Sequence, residues 1–332
     1  MMPTVPEIKI SIEHKDIFVK DELVKNGTFQ RAADGSLIMY TGGFTAVFPV
    51  VVKNEKWAFR CWHASIGNTA KRFQEIAKCV KYSKAQYLCD FAYVEKGILV
   101  NGTLYPTTRM KWVEGQTIKE YLCDNAYNKT KLLELADAFL KLIKDLHSRN
   151  FAHGDLQHGN IMVDKMGRLF LVDYDSFYCP ALKGEKDIIK GLPDYQHPAR
   201  VNNSFANEKL DYFSELIIYT SIIAIAEQPS LVTKYQVADS ERMLFSKNDF
   251  KNIRSSAIYH DLDSLYNNKV SALLGILVQY LSKNDINRLE PFEVLLGNPP
   301  VAQPQQKRYC NQCGTQYYKP YSKYCHHCGN SR

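Results

Sequence analysis

The chain reads as an α+β protein, with strands first, helices later and a small cysteine-rich module at the end. Three observations carry that reading. Between about residues 18 and 110, β-branched and aromatic runs alternate with turn signals, and one amphipathic helix interrupts them. From residue 115 onward apolar residues recur at helical spacing. Beyond a Pro- and Gln-rich stretch stand two C-x-x-C-G units. With 332 residues the chain can bury one large core or two medium ones beside such a satellite.

Residues 37–40, 46–52 and 57–61 have strand character, and Lys53-Asn54-Glu55-Lys56 supplies a turn between the last two. Residues 69–82 form the helix. Residues 93–110 form a hairpin around Asn101-Gly102, the strongest short turn signal. Leu132, Leu135, Ala136, Phe139, Leu142, Ile143 and Leu146 then make a helical stripe that ends before Asn150. Further helices are expected at 211–226, 239–246 and 271–282. Residues 216–226 are the longest apolar run, about half of what a bilayer requires, so they read as a buried helix.

The chemistry concentrates in His-Gly-Asp-Leu-Gln-His-Gly-Asn, residues 153–160, and in Val172-Asp173-Tyr174-Asp175. Ile161-Met162-Val163 and Leu169-Phe170-Leu171-Val172 read as two strands joined by the turn Asp164-Lys165-Met166-Gly167. Closing that hairpin brings Asn160 and Asp173 to one end, where two hard oxygens suit Mg²⁺ against a nucleotide phosphate. Asp155, five residues before Asn160, is placed to take a proton from an attacking hydroxyl.

H-x-D-L-x-x-x-N, a hairpin and then an Asp together resemble the catalytic loop and metal motif of the protein-kinase-like superfamily. The resemblance covers roughly residues 30–296. It implies a bilobal fold with a β-rich small lobe (30–110) and a helical large lobe (111–296), which leaves an N-terminal extension (1–29) before it and a Pro/Gln linker (297–308) and a zinc-ribbon-like module (309–332) after it. It implies ATP with Mg²⁺ or Mn²⁺ as cofactors, Asp155 as base, and Asn160 and Asp173 as metal ligands. Trp57-Ala58-Phe59-Arg60 stands where the family has V-A-I-K, so Arg60 falls at the phosphate-gripping lysine, with Glu75 its ion-pair partner. Gly42, Gly43 and Val47 fall in the glycine-rich loop and the strand after it. Ala58 and Met110 fall on the nucleotide side, and the backbone of Lys111 to Val113 on the hinge that meets adenine. Asp211 resembles the aspartate that anchors the catalytic loop, and Arg288 the late structural arginine.

Departures qualify the function. Arg60 is larger, planar and more demanding in geometry than lysine. Tyr40 and Thr45 occupy the outer positions of the glycine loop. Gly154 replaces the arginine before the base, which removes a receiver for activation-segment phosphate. Gln157 replaces a lysine, and Tyr195-Gln196-His197-Pro198 stands in place of A-P-E. Asp175 replaces the glycine of D-F-G, where a second carboxylate would be free to join the metal shell. The expected activity is phosphoryl transfer of Ser/Thr protein-kinase type. A nucleotide-binding scaffold without catalysis is one alternative, and a small-molecule kinase of the aminoglycoside type is another.

Cys310, Cys313, Cys325 and Cys328, as two knuckles eleven residues apart, resemble a zinc ribbon and supply four thiolates for structural Zn²⁺. Nine cysteines without a secretory pattern imply reduced thiols and a cytoplasmic protein without a membrane span. Cys61, Cys79, Cys89, Cys123 and Cys179 are then structural. The formal charge is +7, of which residues 307–332 carry +5. That module is expected to bind a protein partner rather than nucleic acid, and the kinase-like body a protein substrate.

Overall fold

The computed structural model describes residues 2–65 and 69–297, with 310, 312, 313, 315, 324, 325 and 327–329 of the C-terminal module. The linker and most of that module lie outside the described residues.

Three short helices lead: α1 (Val5–Glu13), α2 (Lys15–Phe18) and α3 (Glu22–Lys25). Thr4 and Glu7 cap α1 reciprocally, and the Asp21 carboxylate accepts the Leu23 and Val24 amides to start α3. Strands β1 (Thr28–Phe29), β2 (Tyr40–Thr41), β3 (Thr45–Val52), β4 (Glu55–Trp62), β5 (Phe91–Val100) and β6 (Thr103–Lys111) follow. They form an antiparallel sheet ordered β1-β3-β4-β6-β5, with β2 also on β3. Helix α4 (Thr69–Ser83) lies between β4 and β5 in sequence. Lys53 and Asn54 (φ 48° and 68°) close β3–β4, and Asn101 and Gly102 (φ 47° and 76°) close β5–β6. Both are two-residue turns with positive φ at each centre, the twist that antiparallel hairpins favour. The strand expected at 37–40 is not formed apart from Tyr40. The Asp34 carboxylate holds the Ser36 amide at 2.9 Å, and the turn folds Leu37 back to bridge Arg31.

Strand alternation sorts the sheet's side chains onto two faces. Ala46, Phe48, Val50, Phe59 and Cys61 pack with Ile8, Ile12, Val19 and Val24, so the leading helices cover the outer face. Val47 pairs with Arg60 across β3–β4, and Ala58 with Met110 across β4–β6. These four therefore share the other face, toward the large lobe.

The large lobe opens with β7 (Gly115–Thr117), α5 (Ile118–Asp124) and α6 (Lys129–Ser148). Every member of the expected 132–146 stripe is buried. Strands β8 (Ile161–Asp164) and β9 (Leu169–Leu171) form the expected hairpin, and β7 adds to β8. Helix α7 (Tyr212–Glu227) is buried on every side, which explains an apolar run without helical periodicity. Then come α8 (Leu231–Lys234), α9 (Ala257–Asp263), α10 (Asn268–Leu281) and α11 (Phe292–Gly297). The helix expected at 239–246 is absent: these residues bend irregularly. Met243, Leu244 and Phe245 are all buried. Three consecutive side chains on a helix would fan over about 200°, too wide for one buried side. Among the described residues no helix is long and apolar enough to cross a membrane.

Candidate functional site

The loop before β8 is held by its backbone. The Asp211 carboxylate, 1% exposed at the start of α7, accepts the His153 amide and the Gly154 amide at 2.9 Å. Burial pushes its pKa up, and His153 with these amides opposes that. The His153 ring bonds the Val172 carbonyl at 2.8 Å, and the Val172 amide donates to the Asn160 carbonyl at 3.0 Å. Asn160 Nδ2 donates to the Asp155 carbonyl at 2.8 Å. Loop and hairpin therefore fix one another. Gly154 sits at φ 79°, and a Cβ there would lie 2.2 Å from the Ser176 carbonyl oxygen. With this backbone any side chain at that position would clash with the Ser176 carbonyl.

Asp155 faces the segment beyond the hairpin. Its Oδ1 accepts the Leu192 amide at 3.3 Å, and a Cβ on Gly191 would come within 2.6 Å of it. Burial raises its carboxyl above the ordinary value, with His153 and the Leu192 amide opposing. Gln157 turns back to accept the Gly159 amide at 2.6 Å.

Asp173 (φ 65°) opens the turn after β9. Across the cleft, Arg60 forms a two-pronged pair with Asp175 at 2.6 and 2.7 Å, and one of its nitrogens reaches Asp173 at 3.1 Å. Its Nε donates to Thr45 Oγ1 at 3.1 Å. Burial alone would weaken the charge on Arg60, but the two carboxylates reverse that and keep it protonated. Burial pushes the Asp175 carboxyl up, and Arg60 opposes the shift. Asp175 is therefore engaged by Arg60 rather than free to join a metal shell.

Glu75 is not the partner of Arg60. It pairs with Lys78 at 2.7 Å, and α4 reaches the turn through Arg72 instead. Arg72 donates to the Asp175 carbonyl at 3.1 Å and the Phe177 carbonyl at 3.0 Å. Arg72 and Glu75 are three residues apart on one helix face, so a small rotation of α4 decides which one meets the turn. Cys79 of α4 is disulfide-bonded to Cys179, which corrects the expectation of unpaired thiols at these two positions.

The other expected positions fall around this cleft or away from it. A Cβ on Gly42 or Gly43 would meet nothing within 4 Å. Val47, Ala58 and Met110 lie on the sheet face that carries Arg60. At the hinge the Lys111 amide is spent on the Asp90 carbonyl at 2.8 Å and the Trp112 amide on Lys56 at 2.9 Å. Among the described residues, only Val113 of the three keeps its amide for a ligand. Arg288 is exposed. The buried arginine is Arg200, held by Asp187 at 3.0 and 3.2 Å and by Gln196 at 2.5 Å. Beyond it a polar cavity of about 420 Å³, lined by Asn203, Asn207 and Asn287 among others, lies apart from Asp155. Its amides largely bond one another, as in Asn207 to Asn287 at 2.8 Å, so it is not the reactive site.

Asn160 and Asp173 fit a divalent ion. Asn160 has its nitrogen committed to Asp155, which leaves its oxygen as a hard donor, and Asp173 is half exposed. In the C-terminal module the sulfurs of Cys310, Cys313, Cys325 and Cys328 all lie within 4.8 Å of one another. Cys310 and Cys328 are 3.4 Å apart, and Cys313 and Cys325 3.6 Å. The Gln312 and His327 amides each donate to a knuckle sulfur at 3.4 Å, and Gly329 takes φ 72°. Four soft donors at this separation suit one tetrahedral ion, as in a zinc ribbon.

Sequence reasoning missed Arg72, the Asp187–Arg200 pair and the Cys79–Cys179 bond. The Arg60–Asp175 pair had a signal: both residues depart from the family pattern, and with opposite charge.

No family model matches the chain. It is 24% identical over 119 residues to the serine/threonine-protein kinase PrkC of Bacillus subtilis, covering 34% of this chain and 18% of that protein. It is 26% identical over 105 residues to the probable serine/threonine-protein kinase mkcD of Dictyostelium discoideum, covering 32% and 16%. With the mitosis inhibitor protein kinase SWE1 of Candida albicans it shares 27% identity over 203 residues, covering 55% and 17%. The chain thus spans less than a fifth of the length of these curated relatives. The solved structure of the Cydia pomonella granulovirus kinase PK-1 superimposes with a TM-score of 0.51 at 14% identity, covering 84% of this chain and 96% of that one. A β-rich lobe and a helical lobe meeting at this cleft give the chain a protein-kinase-like fold, and its similarity to these kinases supports a protein-kinase-like superfamily.

Proposed function

We propose that the chain is an ATP- and Mg²⁺-dependent phosphotransferase of Ser/Thr protein-kinase type, with a zinc-holding module for targeting or partner binding. One observation carries the reading. Asp155, Asn160 and Asp173 sit on a loop and hairpin locked by Asp211 and His153, with Arg60 opposite on β4. Asp155 accepts the proton of the acceptor hydroxyl while that oxygen bonds the γ-phosphorus and the β–γ bridging P–O bond breaks, releasing ADP. Burial raises its carboxyl above the ordinary value, which suits a base that must take that proton. Arg60 is already charged and aimed at the cleft, so it supplies a fixed positive group beside the phosphates. Asn160 and Asp173 would hold Mg²⁺, which when bound offsets phosphate charge.

The test is transfer of labelled γ-phosphate, with Mg²⁺ present, to the protein itself, to protein mixtures and to small hydroxylated compounds. Transfer to none of them contradicts the proposal. Transfer only to small compounds moves the substrate class to that of the aminoglycoside-type kinases.

The double commitment of Arg60 to Asp173 and Asp175 favours a second reading, a kinase-like scaffold without catalysis. That reading predicts nucleotide binding without transfer, or no binding at all. A ligand at a hundred times its Kd stabilises by about 2.7 kcal/mol, so a thermal shift with ATP and Mg²⁺ detects binding separately from chemistry.

A further inference from the structure

We infer that Asp175 is the residue that positions Arg60 for nucleotide phosphates, with Arg72 fixing Asp175 and α4 contributing no carboxylate. The inference rests on the nucleotide-binding part of the proposed function and adds which residues set the grip.

Arg60 is 13% exposed, and its guanidinium stands between two carboxylates. Asp175 takes two nitrogens at 2.6 and 2.7 Å, whereas Asp173 takes one at 3.1 Å. A planar guanidinium held by both prongs and by Thr45 has its orientation set, which a single contact would not achieve. Asp175 itself is 14% exposed, and its carbonyl is gripped by Arg72, which also holds the Phe177 carbonyl. The turn is thus fixed at backbone level. Glu75 is occupied by Lys78.

The arrangement has a second effect. Asp173 is a metal-ligand candidate, and Arg60 competes for it. Asp175 holds the guanidinium by the shorter contacts, so it limits that competition. Without Asp175, Arg60 retains Asp173 as its only carboxylate among the described residues and moves onto it. A nucleotide would then lose both a positioned cation and a metal ligand. The opposing effect is electrostatic: removing a negative charge near the phosphates favours their approach. Positioning outweighs it here because the Arg60 charge that Asp175 releases is met by Asp173, already 3.1 Å away, rather than presented to the phosphates.

The experiment measures Kd for ATP with Mg²⁺, and for adenosine, on the full chain and its variants, with urea midpoints recorded alongside. Adenosine has no phosphates and reports whether the remainder of the pocket is intact. Asp175→Asn is expected to weaken ATP roughly tenfold to a hundredfold, the range for residues that orient a binding group, with adenosine unchanged. Arg72→Gln is expected to weaken ATP in the same direction, and Glu75→Gln to bind as the wild type does. Asp175→Glu keeps a carboxylate and is expected to recover part of the loss. Equal or tighter ATP binding by Asp175→Asn overturns the inference, as does a loss confined to Glu75→Gln. Equal weakening of ATP and adenosine also overturns it, since that would be a folding effect. A wild type that binds ATP no better than adenosine defeats the nucleotide reading itself, a failure visible before any variant is made.

Discussion

Gly154 decides more than its size suggests. At φ 79°, with the Ser176 carbonyl 2.2 Å from where its Cβ would be, it permits the catalytic loop and the turn after β9 to touch backbone to backbone. A left-handed position costs a non-glycine residue about 1–2 kcal/mol before any clash. Gly154→Ala is therefore expected to destabilise the fold by about 2 kcal/mol or more, read as a lower urea midpoint; an unchanged midpoint contradicts the geometry. An arginine at this position, as in the family pattern, would meet the same clash. Asp175 works at the same scale. Alone it is an odd residue in a D-F-G-like motif, and Arg60 is an odd residue in a V-A-I-K-like one. Together they form a charge pair across 115 residues of chain.

Among the elements, α6, α7 and α11 meet at His147, whose ring bonds Glu215 at 2.9 Å and Glu293 at 2.8 Å. Burial alone would lower the histidine's pKa, but the two carboxylates outweigh it and hold it at about 10 against an ordinary 6.5. Glu215, fully buried, is pushed up to about 7 although the imidazolium opposes the shift. A histidine raised in the folded state binds a proton there that the unfolded chain has released. Its contribution is complete below pH 6.5 and is lost as pH rises toward 10. Urea denaturation at pH 6, 8 and 10 should show falling stability across that window. His147→Gln should flatten the slope and cost about 3 kcal/mol at pH 8, where both His147 and Glu215 are charged, the scale for breaking a buried charge pair. A pH-independent midpoint in the wild type contradicts this. The elements also show what the sequence could reveal. The α6 stripe, the Asn101-Gly102 hairpin and the β8–β9 hairpin were legible because periodicity and turn chemistry are local. The irregular 239–246 segment was not, since a short apolar run such as Met243-Leu244-Phe245 has no period that separates a helix from an irregular segment, and all three are buried by tertiary packing. The Glu75 assignment failed for a similar reason: sequence places Arg72 and Glu75 on one helix face, and only packing sets the rotation that brings Arg72 to the turn. The loop residues Asp155, Asn160 and Asp173 could be singled out as candidates because their spacing to a hairpin is itself a local feature.

For the molecule as a whole, the leading helices are part of the small lobe's construction. They bury Ile8, Ile12, Val19 and Val24 against the outer face of the sheet. The four-cysteine cluster at the other end has, in so short a module, few side chains to form a core of its own, so its folding is expected to depend on metal. One zinc per chain by elemental analysis is the expected result. Cys313→Ser or Cys325→Ser should bind zinc far more weakly, while the two-lobed body keeps its urea midpoint. Full zinc retention by both variants contradicts a four-thiolate site.

On the proposed function, the locked loop and hairpin carry a working phosphotransfer centre. The most direct measurement compares labelled γ-phosphate transfer by the wild type and Asp155→Ala, with ATP affinity and metal content determined on the same samples. Asp155→Ala is expected to keep nucleotide affinity and metal while transfer falls by roughly 10²–10⁴-fold, the contribution of a positioned general base. Equal transfer by the two proteins, or binding without transfer by the wild type, would contradict it.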